Sequence, residues 1–182
     1  MRRPRRRTGV QANCKDPVSA MSRLDSFIRR MQAQRDVLDA APALIEGLPG
    51  PILELGLGNG RTYDHLRHLF PDREIYVFER HLAAHPDCVP APPYLIEGDI
   101  RFTLPNALDR LPGPAALVHN DIGTGDACAN AEIAMWLSRT LPSLVRESGV
   151  IVSDQPLAHA RLSPLPVPAT LPADRYFLYR RW

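Results

Sequence analysis

The chain has 182 residues, 45% hydrophobic and 23% charged, which is room for one core of ordinary domain size and too little for two. No apolar run approaches the roughly 18 residues of a membrane span, and no apolar stretch follows the basic start as a secretory signal requires, so a cytoplasmic protein without membrane contact is expected. The net charge of +2 misleads: Arg2, Arg3, Arg5, Arg6 and Arg7 supply more than that, the remainder is mildly acidic, and no nucleic-acid partner is expected.

In chain order, residues 1–20 read as a disordered basic tail and 21–182 as a single domain. Ser22 and Asp25 form a capping-box-like start to a helix whose Leu24, Phe27, Ile28, Met31 and Leu38 share one face. Gln34 and Arg35 of this helix are candidates for a lid, with core packing the plainer reading. Pro42 opens a short helix ended by Gly47. Ile52–Leu55 is a first strand, Arg61–Phe70 a helix stopped by Pro71, Glu74–Glu79 a second strand and Tyr94–Glu97 a third. Pro105–Leu111 reads as a short helix and Ala115–Asn120 as a fourth strand. The next helix runs over Ala129–Glu147 with a break expected at Pro142 and a stop at Gly149, and Val150–Ser153 is a fifth strand. Residues 156–172 hold five prolines and read as a loop before a last strand, Tyr176–Arg180.

Apolar strands alternating with helices imply right-handed crossovers and a mostly parallel sheet covered on both faces. The expected fold is α/β, a three-layer sandwich whose C-terminal edge is reduced to about six strands. Ligands bind such sheets at the carboxyl ends of the strands. There the chain places Glu54-Leu55-Gly56-Leu57-Gly58-Asn59-Gly60, a turn in which glycine lets the backbone approach a ligand closely. A dinucleotide fingerprint would set its third glycine one position later, where Arg61 stands, and Glu54 would bring a carboxylate next to the phosphates. An acid there suits instead a ligand with an ammonium group.

This loop resembles the first motif of the class I S-adenosylmethionine-dependent methyltransferases, a Rossmann-like family, and the resemblance extends from about Gly50 to Gln155. It implies methyl transfer from S-adenosylmethionine, with Glu54, Gly56, Gly58 and Gly60 at the cofactor, Glu79 on the ribose hydroxyls, Asp99 at the adenine amino group and Ile100 against the ring. The helix SRLDSFIRRMQAQRD and the stretch HNDIGTGD further resemble a small bacterial methyltransferase family without an assigned substrate. In that frame Asp121 and His119, at the end of the fourth strand, lie near the transferred methyl group and are the candidate catalytic residues, having the chemistry of general bases. Asp121 could equally hold the cofactor's amino group.

Asp121, Asp154 and Gln155 also resemble the oxygen ligands of magnesium-dependent catechol-type O-methyltransferases, but acids at strand ends are common in this fold and no metal site is expected. Cys14, Cys88 and Cys128 lack metal-ligand spacing. The acceptor implied is a small molecule; self-association is left open. Two other readings stay open at this point: a module that binds S-adenosylmethionine without chemistry, and an NAD-dependent oxidoreductase.

Overall fold

The computed structural model describes residues 22–172 and 175–182; the basic tail and Cys14 lie outside them. Helices α1 (Arg23–Asp39) and α2 (Ala41–Leu44) precede β1 (Ile52–Leu55), α3 (Arg61–Leu69), β2 (Ile75–Glu79), β3 (Leu95–Glu97) and α4 (Ile100–Thr103). A 3₁₀ turn, Leu104–Asp109, leads to β4 (Ala115–Asn120), α5 (Ala127–Leu144), β5 (Val145–Ser153), β6 (Leu162–Leu165) and β7 (Phe177–Arg181). The strands form one sheet in the order β3-β2-β1-β4-β5-β7-β6, parallel through β5 and antiparallel at β7 and β6.

Side chains alternate across the central strands, and each face has its own core. Ile52, Val77, Leu117, Val150 and Val152 meet Ala33, Val37, Leu38 and Leu66 of α1 and α3 on one side. Leu53, Leu55, Phe78, Val118 and Ile151 meet Leu104, Leu137, Leu141 and Leu144 on the other. This is the expected three-layer α/β sandwich, and burial on both faces explains why β1 and β4 are apolar almost throughout.

Four local expectations are corrected. The sheet has seven strands, not about six, because β6 lies within the proline-rich stretch taken for a loop. It is the edge strand, paired only with β7, and an edge tolerates Pro164, which has no N–H to give a second neighbour. Helix α5 runs through Pro142 and ends two residues later, so the bond that proline forfeits falls in the last turn. Val145 already pairs with Ala115, and Gly149 sits in an irregular turn inside β5, beside Ser148 at φ 65°, instead of capping the helix. The short helix expected at 105–111 is the 3₁₀ turn just named, preceded by the unanticipated α4.

Helix α1 starts as its capping residues dictate: Ser22 Oγ accepts from the Asp25 N–H at 3.0 Å. Its packed side is Ala33, Gln34, Val37 and Leu38, so only the C-terminal half lies on the sheet, while Leu24, Phe27 and Ile28 remain exposed.

Candidate active site

Between β1 and β4 the chain changes direction of winding, the place where doubly wound sheets bind ligands. A cavity of about 450 Å³ opens there, lined among others by Gly56, Gly58, Glu79, Asp99, Ile100 and Asp121. These residues follow β1, β2, β3 and β4, so in strand order Asp99, Glu79, Gly56 and Asp121 form a row. With neighbouring strands about 4.8 Å apart the row spans roughly 14 Å, the bed of an elongated ligand.

Each wall residue is held by its local fold. Gly56 has φ +87°, and a Cβ on it would come within 2.7 Å of Ile122 Cγ2, so both conformation and space require glycine. Glu79 closes β2 and turns back under the loop: its Oε2 accepts from the N–H groups of Leu57 at 2.7 Å and Gly58 at 3.0 Å, and its Oε1 from that of His81 at 2.9 Å. Burial disfavours its charge, but the N–H groups of His81, Gly58, Leu57 and Arg80 outweigh it and hold the carboxyl below its ordinary range. Asp99 is the N-cap of α4, accepting from the Arg101 N–H at 2.9 Å, which brings Ile100 onto the same rim.

Three residues expected in the site stand back from it. Glu54 and His119 are fully buried and pair side by side in the sheet register, His119 Nδ1 lying 2.6 Å from Glu54 Oε2. Thr62 Oγ1 donates to the other oxygen at 2.5 Å. Glu54 does not line the cavity, and each of its oxygens has a partner beneath the loop. Gly60 does not line the cavity either; a Cβ there would collide with Cys88 and Ala84, so this glycine serves the packing of the loop.

Burial disfavours an imidazolium at His119, yet the charge and hydrogen bond of Glu54, with Asp121 and Asp154 beyond, raise its pKa. Its Nε2 is buried without a hydrogen-bond partner among the described residues.

Asp121 lines the cavity and accepts a short hydrogen bond from Gln34 Nε2 of α1. Gln34 is thus packed at the site, whereas Arg35 points outward and pairs with Asp36. Asp154 accepts from the Gly123 N–H at 2.9 Å and from Asn120 Nδ2 at 3.2 Å. Burial and the neighbouring Asp121 charge push Asp154 up to about 6. Tyr176 completes the group: it is buried, and its phenol is driven upward by burial and by Asp121 and Asp154. The sequence singled out nothing at Tyr176, which reads only as the start of a strand. Among the described residues, no three or more His, Cys, Asp or Glu side chains converge as metal ligands.

A family model for S-adenosyl-L-methionine methyltransferases matches residues 21–181. The chain belongs to this methyltransferase family. It is similar to a solved S-adenosyl-L-methionine methyl transferase from Silicibacter pomeroyi DSS-3, with 46% identity over 89% of this chain and 99% of that one and a TM-score of 0.83. A sugar N-methyltransferase, KedS8 from Streptoalloteichus, is 20% identical over 91% of this chain and 68% of that one, TM-score 0.47. An S-adenosylhomocysteine-bound methyltransferase from Podospora anserina is 17% identical over 89% and 80%, TM-score 0.47. No curated protein matches.

The methyltransferase therefore uses S-adenosylmethionine, and neither the nicotinamide reading nor the non-catalytic one is favoured. The wall suits that cofactor. Glycines leave backbone exposed along the row, an ionised carboxylate lines it at Glu79, and an apolar side chain adjoins a capping carboxylate at Ile100 and Asp99. No helix among the described residues is long and apolar enough to cross a membrane.

Proposed function

We propose that this methyltransferase transfers the methyl group to a small-molecule acceptor, with Asp121 as the residue that faces the acceptor. The observation that carries this reading is the position of Asp121 at one end of the row of strand ends, lining the same cavity as Glu79 and Asp99 and steadied by Gln34. The bound cofactor supplies a methyl carbon made electrophilic by its sulfonium. Gly56 and Gly58 would hold its amino-acid part, Glu79 would accept from the ribose hydroxyls, Asp99 would accept from the adenine amino group, and Ile100 would pack on the ring.

Because the displacement is in line at an activated carbon, the main task of the residues is positioning. Gln34 restricts the Asp121 carboxylate to one orientation, so a nucleophile that hydrogen-bonds to it has a defined approach. Where the acceptor must lose a proton, Asp121 takes it. His119, two residues before Asp121 and locked to Glu54, is fully buried and does not itself meet the acceptor. Glu54 and Gly60 shape the loop from below. The working unit is the single domain 21–182 preceded by a basic tail, in a cytoplasmic, bacterial enzyme; the likeness to a bacterial relative over 99% of that chain supports the single domain and the bacterial source.

The test is a methyl-transfer screen with radiolabelled cofactor over small amines, phenols and acids, alongside protein and RNA. Turnover of a small acceptor that falls about a hundredfold in kcat in Asp121→Asn, with cofactor affinity kept, is the expected result. Turnover of protein or RNA alone would reject the acceptor class, and an unchanged kcat in Asp121→Asn would reject the role of that residue.

A further inference from the structure

The exposed half of α1 carries a cluster that the reading above leaves unused. Arg30 of α1 and Arg61, the first residue of α3, place their guanidinium carbons 5.7 Å and 5.9 Å from the centroid of one Phe27 ring. Phe27 itself is 42% exposed. Neither guanidinium has a carboxylate at ion-pair distance among the described residues, although Arg35 and Arg67 nearby are paired with Asp36 and Asp64. Two like charges drawn onto one ring, with no acid between them, make a site whose missing component is an anion. The cation–π contacts splint both side chains, so less freedom is lost when an anion arrives.

The position of this cluster connects it to the reaction. Phe27, Arg30 and Gln34 follow one another on the same ridge of α1, three and four residues apart. At 1.5 Å per residue, Arg30 lies about 6 Å along the helix from Gln34, which holds Asp121. Arg61 is anchored from the other side, since Thr62 beside it reaches Glu54 under the loop. Arg30, outside the lining of the cavity itself, therefore stands about one helical turn along α1 from Gln34, the residue that holds the carboxylate facing the acceptor, a separation that one small molecule bridges. Asp121 and Asp154 repel an anion at the methyl-transfer end, so a charged acceptor fits in one direction only.

We propose that Arg30 and Arg61, splinted by Phe27, are the subsite for an oxyanion of the methyl acceptor, a carboxylate or a phosphate carried about one helical turn from the nucleophile. The proposal rests on the small-molecule reading of the acceptor. Guanidinium groups match either oxyanion by paired N–H donors.

The probes are inorganic phosphate and, separately, acetate, titrated into the full chain saturated with S-adenosylhomocysteine while the arginine side-chain resonances are followed by NMR. Saturable binding of at least one probe is expected, weakened about tenfold or more in Arg30→Gln and in Arg61→Gln and unchanged in Arg29→Gln, a control on the same helix. A paired acceptor panel follows, each amine or phenol supplied as carboxylate, phosphomonoester and neutral methyl ester. Turnover confined to one anionic form, with KM raised about tenfold and kcat nearly kept in the two variants, supports the subsite and identifies its oxyanion.

The proposal is overturned if neither probe saturates, if both variants bind the probe like the parent, or if neutral esters are turned over as well as the anions. Loss of S-adenosylmethionine affinity in the variants would also overturn it, by assigning the arginines to the cofactor's own carboxylate. So would arginine-dependent binding of a single-stranded oligonucleotide without competition from phosphate. Turnover of protein or RNA alone, with phosphate binding still dependent on both arginines, would reject the small-molecule reading and leave the oxyanion subsite standing.

Discussion

Replacing Asp154 by asparagine should stabilise this methyltransferase at neutral pH, although it removes a charged group from the candidate site. Burial and the Asp121 charge raise the folded-state pKa of Asp154 from 3.8 to about 6, so the folded protein holds that proton more tightly than the unfolded chain. Between those two values the folded state binds more protons, and stability falls as pH rises. The displacement is about two pH units at about 1.4 kcal/mol each, so the ionised residue costs on the order of 3 kcal/mol above pH 6, as an upper bound. Asparagine retains an oxygen to accept the Gly123 N–H and carries no charge. Urea denaturation of parent and Asp154→Asn from pH 4 to pH 8 measures the difference. The stability gap should be smallest near pH 4, grow through the window up to pH 6, and level off above it. In an Asp121→Asn background the growth should shrink, because one of the two main causes of the raised value is then gone. A gap that does not change with pH, or one that ignores Asp121, would refute the electrostatic account of these two carboxylates.

Outcomes for five other substitutions follow from the geometry. His119→Ala strands the fully buried Glu54 without its partner and should cost about 3–5 kcal/mol of folding free energy by denaturation. Because the folded value of His119 is raised, the stability from its protonation is fully present below pH 6.5 and is lost as pH climbs through that folded value. Gly56→Ala should abolish cofactor binding in calorimetry, since the added carbon strikes Ile122 on the cavity wall. Gly60→Ala should lower thermal stability through Cys88 and Ala84, with the larger part of its effect in folding. Glu79→Gln and Asp99→Ala should each weaken S-adenosylmethionine binding about tenfold or more in the same assay, Glu79→Gln additionally loosening the loop by halving the acceptors offered to Leu57, Gly58 and His81.

Much of the architecture was legible because its signals are local. Strands β1 and β4 fall where their apolar runs place them, since burial on both faces leaves only Glu54 in β1 and His119 and Asn120 in β4 as polar positions. The α1 start was readable from Ser22 and Asp25, whose capping contact lies within a single turn. The errors arise where a neighbour in space overrides a local rule. Pro164 reads as a loop residue until an edge position makes its missing N–H harmless, and Pro142 reads as a helix break until the helix is seen to end beside it. Leu24, Phe27 and Ile28 have the helical spacing of a packed face, but spacing carries no information about whether anything lies opposite.

The site divides in the same way. From sequence alone came the glycine loop, the acids at the ends of successive strands and hence the cofactor, because a βαβ unit delivers its loops to one edge of the sheet whatever the details of packing. The direction of each side chain was decided only in three dimensions. Glu54 turns inward to His119 and Thr62 because the parallel register sets it against β4, and Asp121 meets Gln34, 87 residues upstream, because α1 packs over the sheet. The pairing of Arg30 with Arg61 on Phe27 is likewise a product of tertiary structure. Local order along the chain specifies which backbone conformation a segment prefers; long-range contacts, each costing chain entropy to close, determine which buried charges find partners and which remain to bind something else.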